Sequence, residues 1–181
     1  SCPTKGKSDP NTLTCETCLG FPGSKPVLNK KAVDYALRFC LALNCRISPE
    51  LIFSRKSYFY PDMSKNYQIT QYELPLGESG KIDISDEKSV GITRVHIEED
   101  PAAITHPFGM EKSEFVLVDY NRSGRPLCEV VTEPDITTAA GARDFMKQLI
   151  NILGYIKIFD VNECIIKADA NISIKESGYT K

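Results

Sequence analysis

The sequence predicts an α+β domain: a mainly antiparallel sheet, two packing helices and an N-terminal loop resembling a zinc knuckle. Three observations carry this. Two well-separated segments, after Asn29 and after Thr138, repeat apolar residues at helical spacing. Between them run short strand-like stretches broken by Gly, Ser, Asp and Pro, the pattern of an antiparallel meander. Ahead of the first helix, a stretch rich in Pro and Gly holds Cys2, Cys15 and Cys18.

The 181 residues, 41% hydrophobic and 25% charged, suffice for one substantial domain with a small appendage. A net charge of −2 argues against nucleic-acid binding by charge alone, although partners or further segments can supply basic surface. No apolar run approaches the ~20 residues that span a bilayer, so no membrane partner is expected. The chain opens on Ser1 and stops at Lys181 within what reads as an unfinished hairpin, so a fragment is expected. The seven cysteines do not form a secreted disulfide pattern. Cys40, Cys45, Cys128 and Cys164 sit in apolar contexts as buried free thiols would, which suits a reducing, cytoplasmic compartment.

Residues 1–26 form the cysteine-containing loop. Two thiolates two residues apart, Cys15 and Cys18, can share a tetrahedral ion with Cys2 as a third ligand, and there is room for a fourth upstream of Ser1. Free loop thiols are the alternative. Asn29 caps a helix to about Asn44, whose stripe is Val33, Ala36, Leu37, Cys40, Leu41 and Leu43. Residues 51–62 then interleave Arg55 and Lys56 with Tyr58, Phe59 and Tyr60 in a strand-like run ending at a Pro-Asp turn. Such a run can stack a base and hold a phosphate, or can be an ordinary amphipathic strand. Residues 73–76, 80–84 and 89–98 read as three strands joined by tight turns, and 115–120 as another. The segment 77–80 is too short and acidic for a phosphate-binding glycine loop. Thr137 or Thr138 opens the second helix, with Ala142, Phe145, Met146, Leu149, Ile152 and Leu153 inward and Gly154 as its stop. Residues 164–167 and 171–175 read as closing strands.

The chemistry concentrates in two places. In Arg94-Val95-His96-Ile97-Glu98-Glu99-Asp100-Pro101, strand alternation puts Val95 and Ile97 on one face and Arg94, His96 and Glu98 on the other, with Glu99 and Asp100 at the end. Crowded carboxylates repel unless solvent, a cation or an Arg offsets them. A solvated, charged strand edge is the alternative. The second place is Glu129, alone in the apolar run Pro126-Leu127-Cys128-Glu129-Val130-Val131-Thr132. It calls for a positive partner: Arg94, Arg122, or a hard divalent ion such as Mg2+ shared with Glu99.

Taken as an ordered set, these segments resemble the GatB subunit of the glutamine-dependent aspartyl/glutamyl-tRNA amidotransferases. The matching residues run through Pro10-Asn11-Thr12, Cys15-x-x-Cys18-Leu19-Gly20-x-Pro22-Gly23, Pro26-Val27-x-Asn29-Lys30-Lys31-Ala32 and Arg55-Lys56-x-Tyr58-Phe59-Tyr60-Pro61-Asp62. They continue through Tyr67-Gln68-Ile69-x-Gln71-Tyr72, His96-Ile97-Glu98-Glu99-Asp100, Val118-Asp119-Tyr120-Asn121-Arg122, Glu133-Pro134-Asp135 and Asp169-Ala170-Asn171-Ile172-Ser173. Residues 100–103 and 53–56 look more like the archaeal form than the bacterial one.

The resemblance implies a ligase. With ATP and Mg2+ it phosphorylates the carboxylate of misacylated Asp- or Glu-tRNA, and ammonia from a separate amidase (glutaminase) subunit then displaces the phosphate. A further, small subunit completes the assembly. Residues 27–181 would be its catalytic (cradle) domain, truncated at both ends. By resemblance Glu99 and Glu129 match metal ligands, Lys56 and Tyr58 line the ATP site, Asp169 is a further active-site acid, and Cys2, Cys15 and Cys18 hold a structural Zn2+. Arg122 is expected as a phosphate clamp from its charge and loop position. His96 and Glu98 are read as structural neighbours. Two departures from the family pattern stand out: its N-terminal Gly-Leu-Glu-x-His strand is absent, and Lys167 stands where Arg is expected. Two further readings are a zinc-containing module that binds RNA or a partner protein, and a metal-dependent hydrolase. The latter is disfavoured by a chain with only two His.

Overall fold

Asn29 opens α1 (Lys30–Ala42), its side chain accepting hydrogen bonds from the Lys31 and Ala32 N–H groups. This computed structural model describes residues 2, 8–84, 89–160, 164–174 and 179–180. After α1 come β1 (Arg46–Ile47), β2 (Ser54–Ser57), β3 (Tyr67–Thr70), β4 (Gly77–Asp83), β5 (Ser89–Glu99) and β6 (Ala103–Thr105). Next are β7 (Leu117–Asp119), a 3-10 turn (Tyr120–Arg122), β8 (Pro126–Thr132), α2 (Ala139–Tyr155), β9 (Ser173–Ile174) and β10 (Tyr179–Thr180). The main sheet has the order β1-β4-β5-β8, and β2-β3, β6-β7 and β9-β10 form three further pairs. All pairings are antiparallel. The α+β reading holds.

The core lies between the sheet and the two helices. Phe39, Cys40 and Leu43 of the first helical segment meet Ile82, Val90, Ile92, Val95 and Ile97 of β4 and β5, with Phe145 and Leu149 of α2. Leu41, expected in the stripe, is instead exposed, and Phe39 takes the buried position.

The segment 77–80, read as a turn, is the start of β4. Its glycines serve close packing. A Cβ on Gly77 would stand 2.8 Å from Cys40 Sγ, and one on Gly80 would stand 2.5 Å from Cys45 Sγ and 2.6 Å from the Leu43 carbonyl oxygen. Only glycine lets the end of α1 lie this near the strand. Residues 73–76 lead into β4 rather than forming a strand, and 51–62 contributes only the four residues of β2. Gly154 lies inside α2. The helix ends just after it, and Lys157 takes φ 56° and donates to the Gly154 carbonyl. Residues 164–167 form no strand, Cys164 is exposed, and residues 175–178 lie outside the described residues.

β5 outruns β4, whose register ends at Val95. Side chains of the next segment serve the backbone left over. Gln71, fully buried, accepts from the Ile97 N–H at 3.0 Å, and Gln68 donates to the Glu99 carbonyl at 2.8 Å. This docks the β2–β3 hairpin beside the charged end of β5.

Candidate metal and phosphate site

The antiparallel register sets His96 directly across from Glu129. Cross-strand partners point to the same side, and so does Glu98, two residues on. His96 Nε2 lies 3.2 Å from Glu98 Oε1 and 3.8 Å from Glu129 Oε2. One donor atom from each residue falls within 4.8 Å of the other two. His96 and Glu98 are buried, whereas the Glu129 side chain, on the edge strand, is 45% exposed. The cluster is therefore walled on one side and open on the other.

Burial pushes the Glu98 carboxyl up, but hydrogen bonds from His96 and Thr70, with the charges of His96 and Lys56, hold it down at about 2. Thr70 donates to Oε1 at 2.6 Å and Gln68 Nε2 reaches Oε2 at 3.4 Å. Lys56 is brought here because β2 pairs with β3, Lys56 opposite Gln68 and Ser54 opposite Thr70. An ionised, hydrogen-bonded carboxylate, a second carboxylate and an imidazole make a donor set fit for a divalent cation. His96 Nδ1 is buried without a partner.

The expected Glu99–Glu129 pair is not brought together. Glu99 aligns with Pro126, three positions from Glu129 along β8 and of opposite alternation. Three positions are roughly 10 Å of strand. Its carboxylate instead meets Lys65 Nζ at 2.5 Å and accepts from the Ile69 N–H at 3.0 Å. Both side chains of this Lys–Glu pair are about nine-tenths buried. Nor does Glu129 pair with Arg94 or Arg122. Arg122 is turned to the chain after β5, donating to the Pro101 and Ala102 carbonyls at 2.9 and 3.4 Å, with Asp100 at 3.6 Å. It orders that turn, which leaves it poorly placed as a phosphate clamp. Burial raises the Asp100 carboxyl, partly countered by Arg122, Lys167 and Arg125.

Tyr58 follows β2 and stacks edge-on against Tyr60, centroids 6.4 Å apart, beside an open depression of about 350 Å³ lined by residues 57–60. Burial and the neighbouring Asp62 raise its hydroxyl pKa. Phe59 and Tyr60 are exposed, so this aromatic run is a surface rather than a core strand. Asp169 is exposed and lies outside the His96–Glu98–Glu129 cluster.

In the N-terminal loop, one sulfur from each of Cys2, Cys15 and Cys18 lies within 4.8 Å of the others, and Cys15 and Cys18 are 3.7 Å apart. Two sulfurs bound at ~2.3 Å to one tetrahedral zinc stand about 3.8 Å apart, so the spacing fits three zinc ligands. The Cys18 backbone N–H, against partial burial and with help from the Cys2 thiol, brings Cys15 down to about 7. Cys2 is pushed up to about 11 by its hydrogen bond to Cys15 and by burial. The loop is fastened at two points. Ser64 donates to the Cys18 carbonyl at 2.9 Å, and Asn11 bonds Asp119, Val118 and Tyr120.

The structure brings His96 and Glu98, read from the sequence as structural neighbours, beside Glu129 and Lys56, and it gathers Cys2, Cys15 and Cys18; Lys65, the partner of Glu99, was not singled out from the sequence. The signal for Glu98 was present: the alternation that groups Arg94, His96 and Glu98 excludes Glu99 from their face.

A family model described as the GatB/GatE catalytic domain matches residues 1–181. The chain is 50% identical over 182 residues to the aspartyl/glutamyl-tRNA(Asn/Gln) amidotransferase B subunit of Methanospirillum hungatei, covering 98% of the chain and 38% of that protein. The protein of the same name from Saccharolobus solfataricus is 52% identical over 183 residues (97% and 38%), and that of Carboxydothermus hydrogenoformans 45% over 183 (98% and 38%). The chain thus spans under two-fifths of the length of these relatives. It belongs to the GatB/GatE catalytic-domain family.

Proposed function

We propose that this domain activates the side-chain carboxylate of Asp or Glu carried on tRNA by ATP-dependent phosphorylation, for amidation by ammonia to Asn-tRNA(Asn) or Gln-tRNA(Gln). The observation that carries the reading is the convergence of His96, Glu98 and Glu129 on one sheet face with Lys56 alongside. A carboxylate resists attack by ammonia until one oxygen becomes a leaving group, and phosphoryl transfer needs positioning and charge neutralisation more than a protein nucleophile. A Mg2+ ion held by Glu98 and Glu129 would supply that neutralisation. The chain's own residues do the rest. Thr70 and Gln68 orient Glu98. Lys56 offers a cation to the nucleotide phosphates, and the Tyr58–Tyr60 surface offers ring faces to its base.

The cysteine loop of residues 1–26 is read as a structural Zn2+ site and 27–181 as the catalytic body. Asp169 as an active-site acid and Glu99 as a ligand in the loaded state remain expectations from the family pattern. The relatives' names, B subunits of tRNA amidotransferases, support a place in a larger assembly that acts on tRNA. An amidase-type (glutaminase) partner, a small third subunit and misacylated tRNA are the partners the family pattern implies. A cytoplasmic site suits that role. Among the described residues, no helix is long and apolar enough to cross a membrane.

The test is amidation of charged tRNA by the complete assembly with ATP and external ammonia, which bypasses the partner's glutaminase but not carboxylate activation. Glu129→Gln keeps the side chain's shape and removes its charge, and should abolish amidation while glutamine hydrolysis persists. Near wild-type amidation by Glu129→Gln would show that Glu129 is structural and end this reading.

A further inference from the structure

The face that carries His96, Glu98 and Glu129 continues along β5 to Arg94, in register with Val131 of β8. The Arg94 guanidinium lies 5.9 Å from the Tyr72 ring centroid, and its Nε is buried with no hydrogen-bond partner. Glu78 stands directly opposite Arg94 on β4 but binds Arg46 instead, at 2.5 Å. None of the ion pairs among the described residues includes Arg94. A buried guanidinium N–H without an acceptor is costly, and such a group stays in place most readily when a ligand completes it.

The acids are thus flanked by cations at their two ends. Lys56 approaches on the β2–β3 hairpin at the Glu98 end, where Thr70 and Gln68 also meet Glu98. Arg94 stands at the other end, two residues before His96, roughly 7 Å along the strand. The chain direction explains this order: β3 runs against β5, so Thr70 meets Glu98, Gln71 meets Ile97 and Tyr72 meets Arg94.

We infer that Arg94 binds the acceptor carboxylate, the Asp or Glu side chain borne on tRNA, at the end of the site away from the nucleotide. The inference rests on the proposed function. In-line phosphoryl transfer puts donor and acceptor on opposite sides of the moving group. With Lys56 on the donor side, the cation beyond His96 faces the acceptor. The Nε–H takes one carboxylate oxygen and leaves the other to attack the γ-phosphorus. The bond from that phosphorus to the β–γ bridging oxygen breaks, ADP departs with the electron pair, and an acyl phosphate results with no proton moved. A guanidinium matches a carboxylate in shape and charge, and the Tyr72 ring restricts it without neutralising it.

The experiment uses the complete assembly with ATP, ammonia and charged tRNA, comparing wild type, Arg94→Gln, Arg94→Lys and Glu129→Gln. Arg94→Gln should lower kcat/KM for charged tRNA about 10- to 100-fold, the effect of losing one charged hydrogen bond. The KM for ATP and the inhibition constant of uncharged tRNA, which lacks the carboxylate, should stay within roughly twofold. Arg94→Lys should recover part of the loss, and if Arg94→Gln fails to fold it carries the same test with a smaller loss. A raised KM for ATP with charged tRNA unaffected would place Arg94 on the nucleotide and overturn the inference. So would a near wild-type Arg94→Gln beside an inactive Glu129→Gln, which leaves the proposed function standing. An active Glu129→Gln would remove the reading beneath both.

Discussion

Glu98 and Glu99 are chain neighbours committed to different partners: Glu98 to His96 and Thr70, Glu99 to Lys65 and the Ile69 amide. The two substitutions should therefore separate. Glu98→Gln is expected to behave as Glu129→Gln does, lowering ammonia-dependent amidation by at least about 100-fold, the scale of losing charge stabilisation in the transition state. Glu99→Gln strands a nearly buried ammonium, so its first effect is on stability, about 3–5 kcal/mol. Denaturant unfolding and amidation rates on both variants check this. A stable, inactive Glu99→Gln would return Glu99 to the metal.

Metal at the cysteine loop should be felt at a distance. Gly20 packs on the Ser64 and Lys65 backbone, where a Cβ would stand 2.8 Å from both the Ser64 carbonyl carbon and the Lys65 nitrogen, and Ser64 holds the Cys18 carbonyl. Removing zinc by chelation, or Cys15→Ser, should loosen the turn that carries Lys65. About one equivalent of zinc is expected by metal analysis. Amide exchange at residues 63–66 should quicken on its removal, whereas exchange in α2 should not. Unchanged exchange at 63–66 would make the loop a separate appendage.

What the sequence disclosed and what it hid divide along a physical line. Asn29, Thr138 and the apolar stripes of both helices are local signals, and the helices start where those signals put them. Glu129 stood out because a carboxylate in an apolar run needs an explanation, yet it is half exposed, since β8 is an edge strand and burial depends on neighbours far along the chain. Its partner followed from register, which sets His96 opposite it. The glycines of 77–80 read as a turn because turn chemistry and close packing both select glycine, and the atoms that decide belong to Cys40, Leu43 and Cys45. Lys65 carried no local mark at all. Its pairing exists only because the hairpin turn lies against the end of β5.

Those glycines give a test of packing against propensity. Gly80→Ala would drive a methyl into Cys45 Sγ and the Leu43 carbonyl, and should cost about 1–3 kcal/mol as overpacking does. Gly154→Ala has nothing within 4 Å and lies inside α2, so it should stabilise by about 0.5–1 kcal/mol. Thermal melts of the two variants should shift in opposite directions. Equal shifts would mean that the contact at Gly80 relaxes freely.

The depressed carboxyl of Glu98 predicts the acid limit of the fold. Its ordinary value of 4.5 falls to about 2 in the folded chain. A carboxyl whose pKa is lowered by folding contributes stability that is fully present above its unfolded value. That stability is lost as pH falls through the window from about 4.5 to 2. A shift of this size corresponds to about 3 kcal/mol at neutral pH. Unfolding free energy measured by urea titration should therefore fall between pH 5 and about 2, with a shallower slope in Glu98→Gln, which has no proton to gain. The Thr70→Val variant, which removes the hydroxyl donor at 2.6 Å, should shift the carboxyl upward and begin the decline at higher pH. Identical slopes in wild type and Glu98→Gln would mean that Glu98 keeps its ordinary titration, and that His96 and Thr70 do not hold its charge.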